Sequence, residues 1–283
     1  MRALSYENAL LVDRLRGTLP VLLACGHDGT EQPEGVPPRS GKDLPANCLF
    51  NTSRDRDAAS LTRAVAEQLR ARAGEMPYVV IATFDRDYID ANRSAECAFE
   101  TDAAQTYYEE YHDVLGGFVG EIRAENDGIG LLLDLHGSKR REEAPANIYI
   151  GTENGLTITA LRKGTSDDVL YRRRGLVGLL YAAGYAMLPG AAGVPEHPSL
   201  TGGYTVETYG SHHTDGIDAI QLEIVAELRT DVTRRLALAA DLADAIASLL
   251  PRWVPSPTRS RSWHTRHRDE RPPGRRRSHT PLA

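Results

Sequence analysis

Two histidines sit at matching places in this chain. His27 follows the apolar run "PVLLAC" (20–25), and His136 follows "GLLLDL" (130–135). Each is succeeded by a glycine-containing loop, which lets backbone come close to a ligand. A third apolar run, "AIQLEIV" (219–225), carries Gln221 and Glu223 on one face and Ile220, Leu222 and Ile224 on the other, because side chains alternate along a strand. A glutamate in such a strand is costly unless it is paired or its acidity is tuned for a task. The segment "NTSRDRDAASLTRAV" adds Asp55 and Asp57 where a helix begins. An aspartate there either caps the helix or completes a His, carboxylate, His set with an open fourth position, the ligand set of a catalytic zinc. In "YIDANRS" (88–94), Asn92 and Arg93 follow another strand. A guanidinium suits two-pronged capture of a carboxylate, although a surface ion pair satisfies it equally well.

These residues need elements that bring them to one edge. The strand candidates are 20–25, 78–84, 130–135, 147–152 and 219–225, several too uniformly apolar to face water on one side. Between them Leu61, Val65 and Leu69 repeat at four, and Tyr108, Tyr111, Leu115, Phe118 and Ile122 alternate three and four, so each set lies on one helix face. The pattern predicts further helices over about 168–183 and 231–250, the last with Leu242, Ile246 and Leu249 inward. The expectation is an α/β fold, a single domain over 1–250 with one mixed or parallel sheet flanked by helices. In such sheets ligands gather outside the carboxyl ends of the strands, where His27 and His136 fall. The loops 26–47 and 189–216 are long and rich in Gly and Pro, the kind that is either functional or disordered.

Composition narrows the classes. With 41% hydrophobic residues among 283, the chain can fill a sizeable core. No stretch reaches the roughly 18–20 continuous apolar residues of a membrane span. The N-terminal "MRALSYENALLVDRL" is amphipathic and broken by charges, unlike a secretory signal, so the expected location is cytoplasmic. Net charge is −6, but residues 252–283 hold nine arginines against Asp269 and Glu270, leaving 24 basic and 37 acidic residues before them. That acidic body excludes nucleic-acid binding by bulk charge. The Pro-, Ser- and Arg-rich segment 251–283 reads as a disordered basic tail. Cys25, Cys48 and Cys97 form neither an even disulfide set nor a CxxC pair, which fits a reducing compartment and leaves metal binding to His and carboxylate. Phosphate-loop, dinucleotide, HExxH and GxSxG signatures are absent from the sequence.

Taken in order, "CGHDGT", "RDRDAASL", "YIDANR", "LLDLHGS", "GGYTVETYG" and "DAIQLEI" span about residues 20–230. Each piece alone is weak, but the ordered set resembles the N-formylglutamate amidohydrolase family, zinc hydrolases with a carboxypeptidase-like α/β fold. His27 matches the family's first histidine, with Gly26 where proline is usual, and Asp55 matches the aspartate six before the helix leucine, here Leu61. Asn92 and Arg93, Asp134 with Leu135 and His136, Gly202 with Gly203 and Tyr204, and Gln221 with Leu222 and Glu223 match the remaining motifs. The resemblance implies that His27, Asp55 and His136 hold zinc; Asp57 is the fallback carboxylate should Asp55 prove dispensable. It further implies that Glu223 is the general base, that Arg93 grips a substrate carboxylate, and that Asn92, Gly203 and Tyr204 line the substrate site.

The implied substrate is a small N-acyl amino acid whose amide is cleaved. Zinc would polarise the amide carbonyl and acidify water, while Glu223 moves the proton to the departing nitrogen. Asp134, two residues before His136 on the same strand face, is placed to hydrogen-bond near the site as an outer carboxylate. Two other readings stay open: a cysteine hydrolase using Cys25, and a catalytically silent binding protein that presents the basic tail to a partner.

Overall fold

The computed structural model describes residues 4–164 and 169–253. The basic tail from 254 onward therefore lies outside the described residues. The strands are β1 (Glu7–Ala9), β2 (Val12–Leu15), β3 (Val21–Cys25), β4 (Tyr78–Ala82), β5 (Leu131–Ser138), β6 (Ile148–Gly151), β7 (Met187–Leu188) and β8 (Asp218–Val225). The helices are α1 (Ala58–Ala73), α2 (Ala95–Ala98), α3 (Gln105–Glu125), α4 (Thr159–Gly164), α5 (Leu176–Ala182), α6 (Tyr204–Tyr209), α7 (Ala226–Arg229) and α8 (Val232–Trp253). All strands join one mixed sheet in the order β1-β2-β4-β3-β5-β8-β6-β7. Its centre, β4-β3-β5-β8, is parallel, while β2 and β6 run antiparallel to their inner neighbours.

Helices cover both faces because the central strands are apolar on both. Val21, Leu23 and Cys25 of β3 pack with Leu61, Val65 and Leu69 of α1 and Leu242, Ile246 and Leu249 of α8. Leu22 and Ala24, one step along in the two-residue alternation, pack with Tyr108, Tyr111, Leu115, Phe118 and Ile122 of α3. The stripes predicted for these three helices are thus their buried faces.

Three expectations change. First, residues 7–15 form the β1–β2 hairpin, which the amphipathic reading of the N-terminus did not contain. Its turn residues Leu10 and Leu11 sit at φ 45° and 59°, so the usual Asn-Gly or Asp-Gly turn signal is missing. Second, the helix expected over about 168–183 is only Leu176–Ala182. Residue 168 lies outside the described residues, and a Cβ at Gly175 would strike the carbonyls of Val169 and Leu170, so the chain turns there before the helix starts.

Third, Cys48 and Cys97 are joined in a disulfide, and only Cys25 is free. Sequence spacing hid this pair, because the cysteines are 49 residues apart and meet only when α2 folds back on the 26–57 loop. The cysteine argument for a reducing compartment falls with it. No helix among the described residues is long and apolar enough to cross a membrane. Breaking the crosslink in a Cys48→Ser, Cys97→Ser variant is expected to lower unfolding free energy by about 2–4 kcal/mol in urea without reductant. An unchanged midpoint, with wild-type thiols open to alkylation, would show that the bond does not form.

Candidate active site

Strand register assembles the site. On β5 and β8, Asp134 lies opposite Gln221 and His136 opposite Glu223. Ala24 of β3 lies opposite Asp134 on the other side, so the chain leaves β3 through Gly26 and His27 beside His136. Leu131, Leu133 and Leu135 point to the α1 and α8 layer, as do Ile220, Leu222 and Ile224. Alternation therefore sends Asp134, His136, Gln221 and Glu223 to the opposite face, at the carboxyl ends of parallel strands.

His27, Asp55 and His136 converge there, all buried, each offering a ligand atom within 4.8 Å of the others. Asp55 Oδ2 lies 3.4 Å from His27 Nδ1 and 3.1 Å from His136 Nδ1. A tetrahedral ion with bonds of about 2.0–2.1 Å separates its ligands by roughly 3.3 Å, so Asp55 stands at metal-ligand spacing from both histidines. His27 Nδ1 is buried and has no hydrogen-bond partner, which leaves its lone pair aimed into the group. The far nitrogens are held by carboxylates: His27 Nε2 is 2.7 Å from Asp90 Oδ1, and His136 Nε2 is 2.8 Å from Asp134 Oδ2. Carboxylates in these positions fix the tautomer that presents Nδ1.

The charge balance also asks for a cation. Burial pushes the Asp55 carboxyl up, but the hydrogen bond to His136 and the nearby charges of His27 and His136 outweigh it and hold the group below the ordinary carboxylate range. Asp90 is likewise held well below that range: burial opposes ionisation, and the charges of His27, Arg86 and Arg93 overcome it. For His136, burial disfavours the charged ring, yet Asp134 and Asp55 draw it well above the usual imidazole value. A metal ion would supply the positive charge these buried anions call for.

Local structure pins each member. The Asp55 N–H donates to the His27 carbonyl at 2.9 Å, tying the carboxylate loop to the end of β3. The side chain that bonds the start of α1 is that of Asp28, its Oδ2 accepting the Ala59 N–H at 2.9 Å, whereas Asp55 and Asp57 accept from Ala58 and Leu61 through their backbone carbonyls. Asp57 occupies the helix-cap position without a side-chain cap and pairs instead with Arg235 at 2.9 Å. It is turned away from the histidines, so of the two candidate carboxylates only Asp55 joins them.

Glu223 is partly exposed and accepts the Gln221 Nε2 hydrogen at 3.0 Å. Burial pushes its carboxyl above the ordinary glutamate value, against the pull of His136 and with the push of Asp55. It lines a cavity of about 350 Å³ together with His27, Asp55 and His136. Four cations, Arg86, Arg93, Lys139 and Arg141, line the same space. Arg93 donates from Nη1 to the Asn92 carbonyl, while its Nε is buried without a partner.

The other predicted site residues fall elsewhere. Asn92 lines the cavity, but its side chain is engaged inside the protein: Oδ1 accepts the Thr205 N–H at 2.8 Å and Nδ2 donates to Gln221 Oε1 at 3.0 Å. Gly203 packs on that amide so closely that a Cβ would collide with it. Gly203 and Tyr204 line a neighbouring cavity of about 740 Å³, which meets the first at Asn92, Arg93 and Gly202. Cys25 is wholly buried among the β3 and α1 core residues, and burial pushes its thiol upward, which removes the cysteine-nucleophile reading.

Sequence reasoning missed Asp90, Arg86, Lys139 and Arg141. Asp90 was discoverable, since it lies between Ile89 and Ala91, both fully buried, and so carried the same cost signal as Glu223. Its Oδ2 takes both Arg86 Nε at 3.0 Å and Nη2 at 2.8 Å. Lys139 and Arg141 gave no signal, because exposed-looking cations after a strand are ordinary.

No family model matches the chain, and no curated protein does either. Solved structures do share its fold. An N-formylglutamate amidohydrolase from Ralstonia eutropha JMP134 superposes with a TM-score of 0.60 at 16% identity, over 87% of this chain and 100% of that one. The gene product Atu2144 from Agrobacterium tumefaciens superposes with a TM-score of 0.56 at 18% identity, over 84% of this chain and 94% of that one. The chain therefore has the amidohydrolase-type α/β fold that the motif order implied.

Proposed function

We propose that the protein is a zinc-dependent amidohydrolase that cleaves the amide of a small N-acyl amino acid, N-formylglutamate being the first candidate. The observation that carries this reading is the buried, unpartnered Nδ1 of His27, facing Asp55 Oδ2 and His136 Nδ1 in a cavity that Glu223 also lines. The likeness in fold to an N-formylglutamate amidohydrolase supports it. Residues 1–250 form the catalytic domain in this reading.

His27, Asp55 and His136 would hold the metal. When bound, zinc supplies Lewis acidity, polarising the scissile carbonyl and making water acidic near neutral pH. Glu223, raised above its usual range by burial, takes the attacking water's proton and passes it to the departing nitrogen. Asp90 and Asp134 hold the two imidazoles in the ligating tautomer. Arg93 holds a substrate carboxylate with the free edge of its guanidinium.

Turnover of a panel of N-acyl amino acids by the zinc-loaded protein, followed as released amine, tests the reading. Its loss on chelation and return with zinc is the expected result. Within that assay Arg93→Ala is expected to lower kcat/KM by about 10²-fold, the worth of roughly 3 kcal/mol in charged hydrogen bonds. Arg93→Lys should recover little, since an ammonium lacks the planar fork. Full activity of Arg93→Ala on a carboxylate-bearing substrate would refute the role.

A further inference from the structure

Helix α3 approaches the back of the site with a cage of aromatic residues that the proposed reaction does not use. His112 lies within it, its ring 4.4 Å from Tyr108, 5.3 Å from Tyr111, 5.3 Å from Tyr204 and 6.1 Å from Tyr209. Its Nε2 is 3.1 Å from the Ala91 carbonyl, and its Nδ1 is 3.1 Å from the Tyr209 hydroxyl. A carbonyl only accepts, so Nε2 carries a proton, while the Tyr209 hydroxyl donates to the His112 backbone carbonyl at 2.8 Å. One turn earlier on α3, the Tyr108 hydroxyl donates to the Arg93 carbonyl at 2.8 Å. Burial favours the neutral ring, pushing the imidazole down to about 4 against the pull of the Ala91 hydrogen bond and the Asp134 charge.

The two carbonyls held by α3, those of Ala91 and Arg93, lie beside the residues that contact the histidine group. Ala91 separates Asp90, which bonds His27, from Asn92, which bonds Gln221 and lies 3.3 Å from His136 Nε2. Ala91 is itself fully buried, and a Cβ on Gly26, the residue before His27, would lie 3.2 Å from its Cβ. A shift of the Ala91 peptide would carry the adjoining Asp90 carboxylate and, through its 2.7 Å contact, the His27 ring. Among the described residues outside helices and strands, no backbone N–H is bonded to the Ala91 carbonyl, so His112 is the donor that holds it.

We infer that His112 is a positioning residue: its Nε2–H fixes the Ala91 carbonyl, and through Asp90 and Asn92 it sets the spacing of His27 and His136 for the metal. This rests on the metal-site reading above. Outer partners of ligating histidines typically change metal affinity by about 10–100-fold when lost. The His112→Phe variant keeps the ring in its aromatic cage and removes the donor. Competition with a chromogenic chelator is expected to show zinc bound about 10–100-fold more weakly, with kcat reduced and KM nearly unchanged. In His112→Gln the side-chain amide reaches the Nε2 position, and zinc affinity should return to within about threefold of wild type. Should His112→Phe fail to fold, His112→Asn, whose amide reaches only the Nδ1 position, takes its place.

Zinc affinity of the donor-less variant within twofold of wild type overturns the inference. So does equal weakness in His112→Gln. If the wild type binds no zinc at all, the metal-site reading is what fails. The hydrogen bond is then still read by ¹⁵N NMR of the imidazole: an Nε2–H tautomer supports the contact and an Nδ1–H tautomer overturns it.

Discussion

Glu223→Gln is expected to lower kcat by about 10²–10⁴ while leaving zinc content and thermal unfolding unchanged. The substitution preserves what the structure shows Glu223 doing as a hydrogen-bond group. Gln221 Nε2 donates to Glu223 Oε1 at 3.0 Å, and an amide oxygen accepts the same bond. Volume is conserved and the residue is only partly buried, so no cavity opens. What is lost is the ability to accept a proton. The burial that raises the Glu223 carboxyl above its ordinary value is what suits it to receive a proton and then release it to the amine. Glu227, on α7 and 3.7 Å from Arg140 in an exposed pair, is the control: Glu227→Gln should leave turnover alone. Near-wild-type kcat in Glu223→Gln would remove the general-base role. Loss of zinc together with activity would instead make Glu223 a ligand.

His136→Ala is expected to bring the protein from about one tightly bound zinc per chain to almost none, with activity falling to background. Two ligands alone cannot close the site, and the loss also strands Asp134 and Asp55, whose buried oxygens face His136 at 2.8 and 3.1 Å. Melting carries a second signature. An ion that binds only the folded chain stabilises it by about 4 kcal/mol at 1,000 times its dissociation constant, so added zinc should raise the wild-type midpoint and not that of His136→Ala. Asp57→Ala is the contrasting variant. Its carboxylate pairs with Arg235 and not with the histidines, so zinc content should hold. Metal analysis finding stoichiometric zinc in a His27→Ala, His136→Ala double variant would overturn the ligand assignment.

Much of the site's frame was legible in sequence because strand alternation is local. "AIQLEIV" separates Gln221 and Glu223 from Ile220, Leu222 and Ile224 with no knowledge of neighbours, and the same rule puts Asp134 beside His136 on one face. Uniformly apolar runs at 20–25, 78–84 and 130–135 likewise announced strands buried on both sides, and the α1, α3 and α8 stripes announced the layers over them. Positions that depend on where distant segments cross were not legible. The choice of Asp55 over Asp57 is made by the bond from its N–H to the His27 carbonyl and by the reach of Arg235, both long-range facts. The same holds for Asp90 on His27, 63 residues apart, Asn92 on Gln221, 129 apart, and the Cys48–Cys97 bond, 49 apart. Periodicity tells which face a side chain takes within its own element. Which side chain waits on the other side is decided by strand order and loop path, and these are settled only when the whole sheet packs.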